Sequence, residues 1–165
     1  MNELEIEVSR AGLEHQSLLE NLSQFYLYEM SLYVPYIELR DNGLFGGLAY
    51  WHEPNHHSFL VWVDGNWAGF ALVQHYEDQP FEFDMGDFFI LRKYQGKGVG
   101  KRVATQLFDL FLGKWRVHQT AQNFPAQAFW QSVIDRYTNG DYTQQYEDRK
   151  PIQLFDNSAL FPCSS

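Results

Sequence analysis

The segment Leu91-Arg-Lys-Tyr-Gln-Gly-Lys-Gly-Val-Gly-Lys-Arg102 joins an apolar, strand-like run to an amphipathic, helix-like one through glycines at 96, 98 and 100. Glycine has no Cβ, so glycines at alternate positions let successive backbone N–H groups converge on one anion. The helix predicted from Val99 to Leu112 adds unpaired N–H donors and about half a positive charge at its N-terminus. Such a joint can hold a diphosphate without a metal. Five of the chain's twelve Lys and Arg residues (Arg92, Lys93, Lys97, Lys101 and Arg102) fall within these twelve positions.

Spacing separates this joint from other phosphate loops. A dinucleotide fingerprint needs a third glycine three residues after the second, and that position is Lys101; a Walker loop needs Gly-Lys-Ser/Thr, and Gly100-Lys101 is followed by Arg102. The pattern that fits is Gln/Arg-x-x-Gly-x-Gly/Ala, read here as Gln95-Gly96-Lys97-Gly98-Val99-Gly100, and it resembles the acetyl-CoA pyrophosphate loop of the GNAT superfamily of N-acetyltransferases. A second segment, Asn123-Phe-Pro-Ala126-Gln-Ala-Phe129-Trp130, resembles the Asn-x-x-Ala-x-x-Phe-Tyr stretch that follows the fifth strand in that superfamily and opens its next helix. The resemblance is specific over Phe81 to Phe155 and generic before it.

Composition narrows the alternatives. At 165 residues, 45% of them hydrophobic and 18% aromatic, the chain is expected to make one globular domain. Its single cysteine, Cys163, provides no disulfide framework, which fits a reducing compartment. The acidic start Met1-Asn-Glu-Leu-Glu5 is not a signal peptide, and no apolar run approaches the roughly 20 residues a bilayer needs, so a cytoplasmic protein without a membrane partner is expected. A formal charge of −9 argues against a nucleic-acid partner. Fifteen of the twenty-one Asp and Glu residues precede Leu91, opposed there only by Arg10 and Arg40. Such a half attracts cations, an ammonium group among them, although most of these carboxylates are accounted for as solubilising charge.

Periodicity supplies the order of elements. Leu4, Ile6 and Val8 alternate with Glu3, Glu5 and Glu7, as in a strand wet on one face. Leu18, Leu19, Leu22, Phe25 and Tyr26 recur at helical spacing, predicting a helix from Leu13 to Glu29 that Val34-Pro35 keeps from continuing. Tyr50 to His57 reads as irregular. Phe59 to Val63, Asp64-Gly65-Asn66 and Trp67 to Gln74 form a hairpin signal, and Glu82 to Leu91 is the strand that feeds the glycine joint. A strand from Lys114 to Gln119, a helix from about Pro125 to Tyr137, a strand from Tyr142 to Glu147 and a closing strand from Ile152 to Phe155 complete the order. The expected fold is α/β (α+β), a mixed, mostly antiparallel central sheet of six to seven strands flanked by helices, as the resemblance also implies. A single N-acetyltransferase domain over residues 1–155 and a loose tail over 156–165 are expected.

The resemblance implies an enzyme that moves an acetyl group from acetyl-CoA directly to a primary amine of a small molecule or peptide, working as a monomer or homodimer and needing no metal. The loop residues Gln95, Gly96, Lys97, Gly98, Val99, Gly100 and Lys101 would then hold the pyrophosphate. A backbone N–H at Ile90 or Leu91 would polarise the thioester carbonyl, Asn123 would meet the pantetheine arm, and Phe129 would pack beside it. A lysine-like amine is neutral only on the order of once in a thousand molecules at pH 7, so a base or a desolvating pocket is required. Carboxylates of the fourth strand are candidates: Glu82 and Asp84 share a face by parity and Asp87 takes the other unless a bulge intervenes, while a solvated rim accounts for them equally well. Glu29 is the candidate contact for the amine. Trp130 stands where relatives commonly place a tyrosine acid; an indole N–H donates a hydrogen bond but is no practical acid. Tyr137 or Tyr142 could substitute, the thiolate could leave unassisted, or the chain could be a non-catalytic acyl-CoA sensor. His52, Glu53, His56 and His57 suggest a metal site only in isolation, and a solvated loop is the expectation.

Overall fold

A computed structural model describes residues 2–48 and 53–160. Strand β1 (Ile6–Arg10) leads through a 3-10 turn (Leu13–His15) into helix α1 (Gln16–Met30). Strands β2 (His56–Val63), β3 (Asn66–His75) and β4 (Phe83–Ile90) follow, then a 3-10 turn (Arg92–Tyr94) and helix α2 (Val99–Leu110). Strand β5 (Lys114–His118), helix α3 (Phe124–Thr138), and strands β6 (Thr143–Glu147) and β7 (Lys150–Asp156) complete the chain. These strands form one seven-stranded sheet in the order β1-β2-β3-β4-β5-β7-β6. Every neighbouring pair is antiparallel except β4 with β5, the two strands joined through α2.

Local chemistry accounts for the hairpin and the helices. Asp64 and Gly65 both take positive φ, 49° and 75°, the pair of angles whose turn follows the strands' own twist. α2 buries Val99, Val103, Ala104, Leu107 and Phe108, a stripe at helical spacing. Alternation along β2 divides the core: Phe59, Val61 and Val63 meet the residues of α2 and α3, whereas Leu60 joins Phe70 and Phe89 beneath Leu19 and Leu22 of α1. The helices therefore cover both faces of the sheet.

Three expectations need correction. The irregular segment expected over Tyr50 to His57 yields to strand at His56 and His57, because pairing with Gln74 and Val73 of β3 satisfies their backbone; Tyr50, Trp51 and His52 lie outside the described residues. Asn157, inside the expected tail, is fully buried. Its side chain accepts from the Gly113 N–H at 2.8 Å and donates to the Phe108 carbonyl at 2.8 Å, stitching the chain beyond β7 to the end of α2. Finally, β4 carries a bulge: Leu72 faces Asp87 and Val73 faces Met85, one residue on β3 against two on β4. The extra residue brings Asp87 to the same face as Asp84, since their partners Leu72 and Gln74 share a face.

Asn157→Ala should cost about 1–3 kcal/mol in urea unfolding, because it strands a buried N–H and a buried carbonyl. Burial and the Arg10 guanidinium, whose Nη1 lies 2.9 Å from His57 Nδ1, lower the His57 pKa below 6.5, with His75 and His56 adding to the effect. The unfolded chain then binds the proton first, so stability should fall as pH drops below about 6.5. Thermal melts between pH 7.5 and 5 should show that loss, and His57→Gln should flatten it.

Candidate active site

The joint read in the sequence is a cradle with an internal brace. After β4, the Leu91 N–H bonds the Ala68 carbonyl of β3 at 2.8 Å, and the Tyr94 N–H closes the 3-10 turn on the Leu91 carbonyl at 2.9 Å. The Gln95 side chain donates to the Ile90 carbonyl at 2.7 Å, so this residue ties the loop to the strand end. Gly96 and Gly98 sit at φ 72° and 79°, the left-handed region, and a Cβ at either would meet nothing within 4 Å; backbone angle is what requires glycine there. Gly100 has another reason, because its Cβ would lie 3.1 Å from the Phe129 ring. The first bond within α2 runs from the Arg102 N–H to the Gly98 carbonyl at 3.1 Å, which leaves the N–H groups of Val99, Gly100 and Lys101 without an intrahelical acceptor.

The loop's positive side chains divide their labour. Arg102 turns to the segment before β1, donating to the Leu4 carbonyl at 3.1 Å, and Lys93 lies over the Tyr94 ring at 5.3 Å. Arg92 pairs with Glu29 at 2.8 Å. Lys97 and Lys101 are exposed and make no ion pair among the described residues.

A cleft of about 740 Å³ opens beside the cradle. Its walls are the end of α1, the end of β4, the glycine loop and the start of α3, and it gathers Ile90, Gln95, Gly96, Gly98, Gly100, Lys101, Asn123 and Phe129 of the expected cofactor set. Of the others, Leu91 has its N–H committed to β3, Val99 sends its side chain into the core, and Lys97 stands exposed on the loop. Successive N–H groups on a strand point to opposite sides; since Leu91 bonds β3, Ile90 directs its N–H toward β5. β5 pairs with β4 only at Phe83–Trp115 and Asp84–Arg116 among the described residues, so at Ile90 the strands have parted. Of the two, Ile90 is the one whose N–H faces the opening between the strands. Asn123 caps α3, its Oδ1 accepting from the Ala126 N–H at 3.2 Å, while its amide nitrogen reaches the Met30 sulfur at 3.9 Å across the cleft. Phe129 packs tilted against Phe88 and edge-on to Trp130, with ring centroids 5.8 and 4.9 Å away.

The expected catalytic residues are not brought to this cleft. Glu82 is exposed and accepts from the Lys114 N–H at 2.9 Å, anchoring the start of β5. Asp84 is fully buried against Arg116, with His118 Nδ1 at 3.6 Å. Burial pushes the Asp84 carboxyl above the usual carboxylate range, and the neighbouring His118 and Arg116 only partly offset this. Without solvent access it cannot reach an amine. The Tyr137 hydroxyl donates to Asp109 at 2.8 Å and accepts from Asn157 at 3.2 Å, its pKa raised by burial, and it packs on Phe108 and Phe155 outside the cleft. Tyr142 also lies outside the cleft lining. Glu29 does line the cleft, but its carboxylate is held by Arg92, a partner that sequence separation hid. Of the histidines read as a solvated loop, His56 bonds Gln74 at 2.8 Å and His57 bonds Arg10 from within β2, and His52 lies outside the described residues. The sequence reading missed Met30, Leu32, Tyr33, Phe88 and Phe89 as cleft walls.

This arrangement has counterparts. Residues 17–134 match the model of the Acetyltransferase (GNAT) family, and the chain belongs to that family. Among solved structures, an acetyltransferase from Thermus thermophilus superposes with a TM-score of 0.65 at 15% identity, over 92% of this chain and 96% of that one. A chimera of the spermidine N-acetyltransferase SpeG from Vibrio cholerae and hSSAT gives 0.64 at 12% identity, over 93% and 96%. The putative acetyltransferase yncA from Salmonella typhimurium, solved with its cofactor acetyl-CoA, gives 0.62 at 11% identity, over 97% and 96%. At these identities the likeness is one of fold. No curated protein matches the sequence at a significant level.

Asp84→Ala should destabilise the protein by about 3 kcal/mol, the low end for an ion pair broken by removing one buried partner, because Arg116 keeps some solvent. Chemical denaturation measures this. The affinity for acetyl-CoA should stay within about twofold of wild type at a temperature where the variant is folded, since Asp84 lies off the cleft.

Proposed function

We propose that the chain is an acetyl-CoA-dependent N-acetyltransferase for a primary amine. The observation that carries this reading is the cradle at Gly96, Gly98 and Gly100, opening directly onto the cleft where β4 parts from β5. The fit to acetyl-CoA is chemical as well as spatial. Left-handed glycines and the free N–H groups of Val99, Gly100 and Lys101 suit a pyrophosphate, with the Lys97 and Lys101 ammonium groups as exposed counter-charges. The Ile90 N–H and the Asn123 amide, on opposite walls, suit the carbonyl groups of an acylated pantetheine arm. When bound, acetyl-CoA supplies the activated acyl carbon and a thiolate leaving group.

The protein's own part is to position and to exclude water. The Ile90 N–H, fixed by the Gln95 brace on its own carbonyl, is placed in advance where negative charge develops on the acyl oxygen. Apolar walls at the end of α1 favour the uncharged amine by desolvation, which lessens the work asked of a base. Glu29 is the carboxylate on the amine's side of the cleft, and Arg92 orients it.

A second reading, an acyl-CoA sensor with little turnover, draws on one observation: Glu82, Asp84 and Tyr137 all lie off the cleft, and Trp130 lines it in place of a tyrosine. Calorimetry with acetyl-CoA and a thiol-release assay with an amine panel separate the two. An enzyme binds and releases thiol with at least one amine; a sensor binds and releases none. Gly98→Val forces a branched side chain into the left-handed region and Gly100→Leu drives one into Phe129, so each should weaken acetyl-CoA binding at least about tenfold. Unchanged affinity in both folded variants would remove the cradle as the site.

A further inference from the structure

The cleft continues past the part that fits acetyl-CoA, and the chemistry of its walls changes there. On the side of the glycine loop and α3 the lining joins glycine, Lys101 and Asn123 to the apolar Ala126, Phe129 and Trp130. At the end of α1 it becomes Tyr26, Met30, Leu32 and Tyr33, facing Phe88 and Phe89 of β4. Tyr26 packs edge-on against Phe70 at 5.7 Å and is tilted on Phe89 at 6.0 Å, so this wall is set by the core beneath it. Leu32 stands 78% exposed at the rim, an apolar surface that an apolar ligand would cover.

Charge in this part of the cleft is sparse. Glu29 is the only Asp or Glu in the lining among the described residues, and it is held at 2.8 Å by Arg92, which also lines the cleft and stays cationic at any working pH. Asp84 is spent on Arg116, Glu82 on the backbone of β5, and Asp87 does not line the cleft. A polyamine or an aminoglycoside carries several ammonium groups, each requiring a carboxylate or a ring of carbonyls once water is removed. This cleft offers one shared carboxylate and a guanidinium that repels the second charge. A single amine on an aromatic or branched aliphatic body meets the opposite situation: its body is buried between Tyr26, Tyr33, Leu32 and Phe89, and its one nitrogen reaches the Glu29–Arg92 pair.

We infer that the acceptor is a small primary monoamine with an aromatic or branched aliphatic body, selected by the apolar wall at the end of α1. This rests on the acetyltransferase reading and adds the substrate class to it. The transfer balances without another reactant: the C–S bond of the thioester breaks, the C–N bond forms, and the amine proton leaves to solvent while the thiolate takes one up.

The test is steady-state thiol release by the full-length protein with phenethylamine, isoamylamine, spermidine and kanamycin, alongside calorimetry with acetyl-CoA. The expected result is a kcat/KM at least tenfold higher for phenethylamine or isoamylamine than for spermidine or kanamycin. Leu32→Asp adds a carboxylate at an exposed rim position and should shift the spermidine-to-phenethylamine ratio of kcat/KM at least tenfold toward spermidine, with acetyl-CoA affinity unchanged. If acetyl-CoA binds and the polycations are turned over as well or better, or if Leu32→Asp leaves the ratio where it was, the inference falls and the acetyltransferase reading stands. If acetyl-CoA does not bind, or binds with no thiol released to any amine, the acetyltransferase reading fails and takes the inference with it.

Discussion

The architecture of the site depends on where β4 and β5 stop touching. They are the one parallel pair in the sheet, paired only at Phe83–Trp115 and Asp84–Arg116 among the described residues before they diverge. Two anchors sit at that root: the buried Asp84–Arg116 ion pair, with Arg116 also lying 4.3 Å over the Phe81 ring, and the Glu82 carboxylate on the first N–H of β5. Past the root, the upper end of β4 keeps its backbone groups on the β5 side for another use. A cleft between two strands would ordinarily strand N–H and C=O groups. Here Gln95 satisfies the Ile90 carbonyl, leaving its N–H as the group directed into the opening.

Burying Asp84 costs desolvation that the Arg116 pairing only partly recovers, so the pair's value lies in placement. It ties together, at their root, two strands that share few hydrogen bonds. The bulge in β4 acts just beyond it, turning Asp87 to the face of Asp84 and setting Phe88 and Phe89 on opposite faces, where one meets Phe129 and Trp130 and the other Tyr26. One extra residue in a strand thus decides which aromatic rings wall the cleft on each side.

Electrostatics work locally against the charge of the whole. The protein carries a formal −9, yet a polyanion approaching the glycine loop meets Lys97, Lys101 and the positive end of α2 within a few residues. Arg92 and Arg102, which the sequence placed in the same cluster, are diverted to Glu29 and to the Leu4 carbonyl just before β1, and act as ties between segments. The ties matter to the site all the same, because the Glu29–Arg92 pair and the contact of Met30 with Asn123 hold the end of α1 over the cleft from both sides.

The sequence by itself determined the cradle and the order of elements. Glycines at left-handed positions, the Asp-Gly turn, the helical stripe of α2 and the cap at Asn123 are local constraints, each written in a few adjacent residues and each readable from spacing. Everything that required two distant segments to meet was decided by tertiary structure: Arg116 against Asp84, Arg92 against Glu29, Asn157 against the end of α2. Parity along β4 gave Asp87 the face opposite Asp84 unless a bulge intervened, and whether one does is a property of strand pairing, invisible in one strand. For the same reason the sequence could not show that Glu82, Asp84 and Tyr137 meet the start of β5, Arg116 and Asp109, partners that arrive from distant segments.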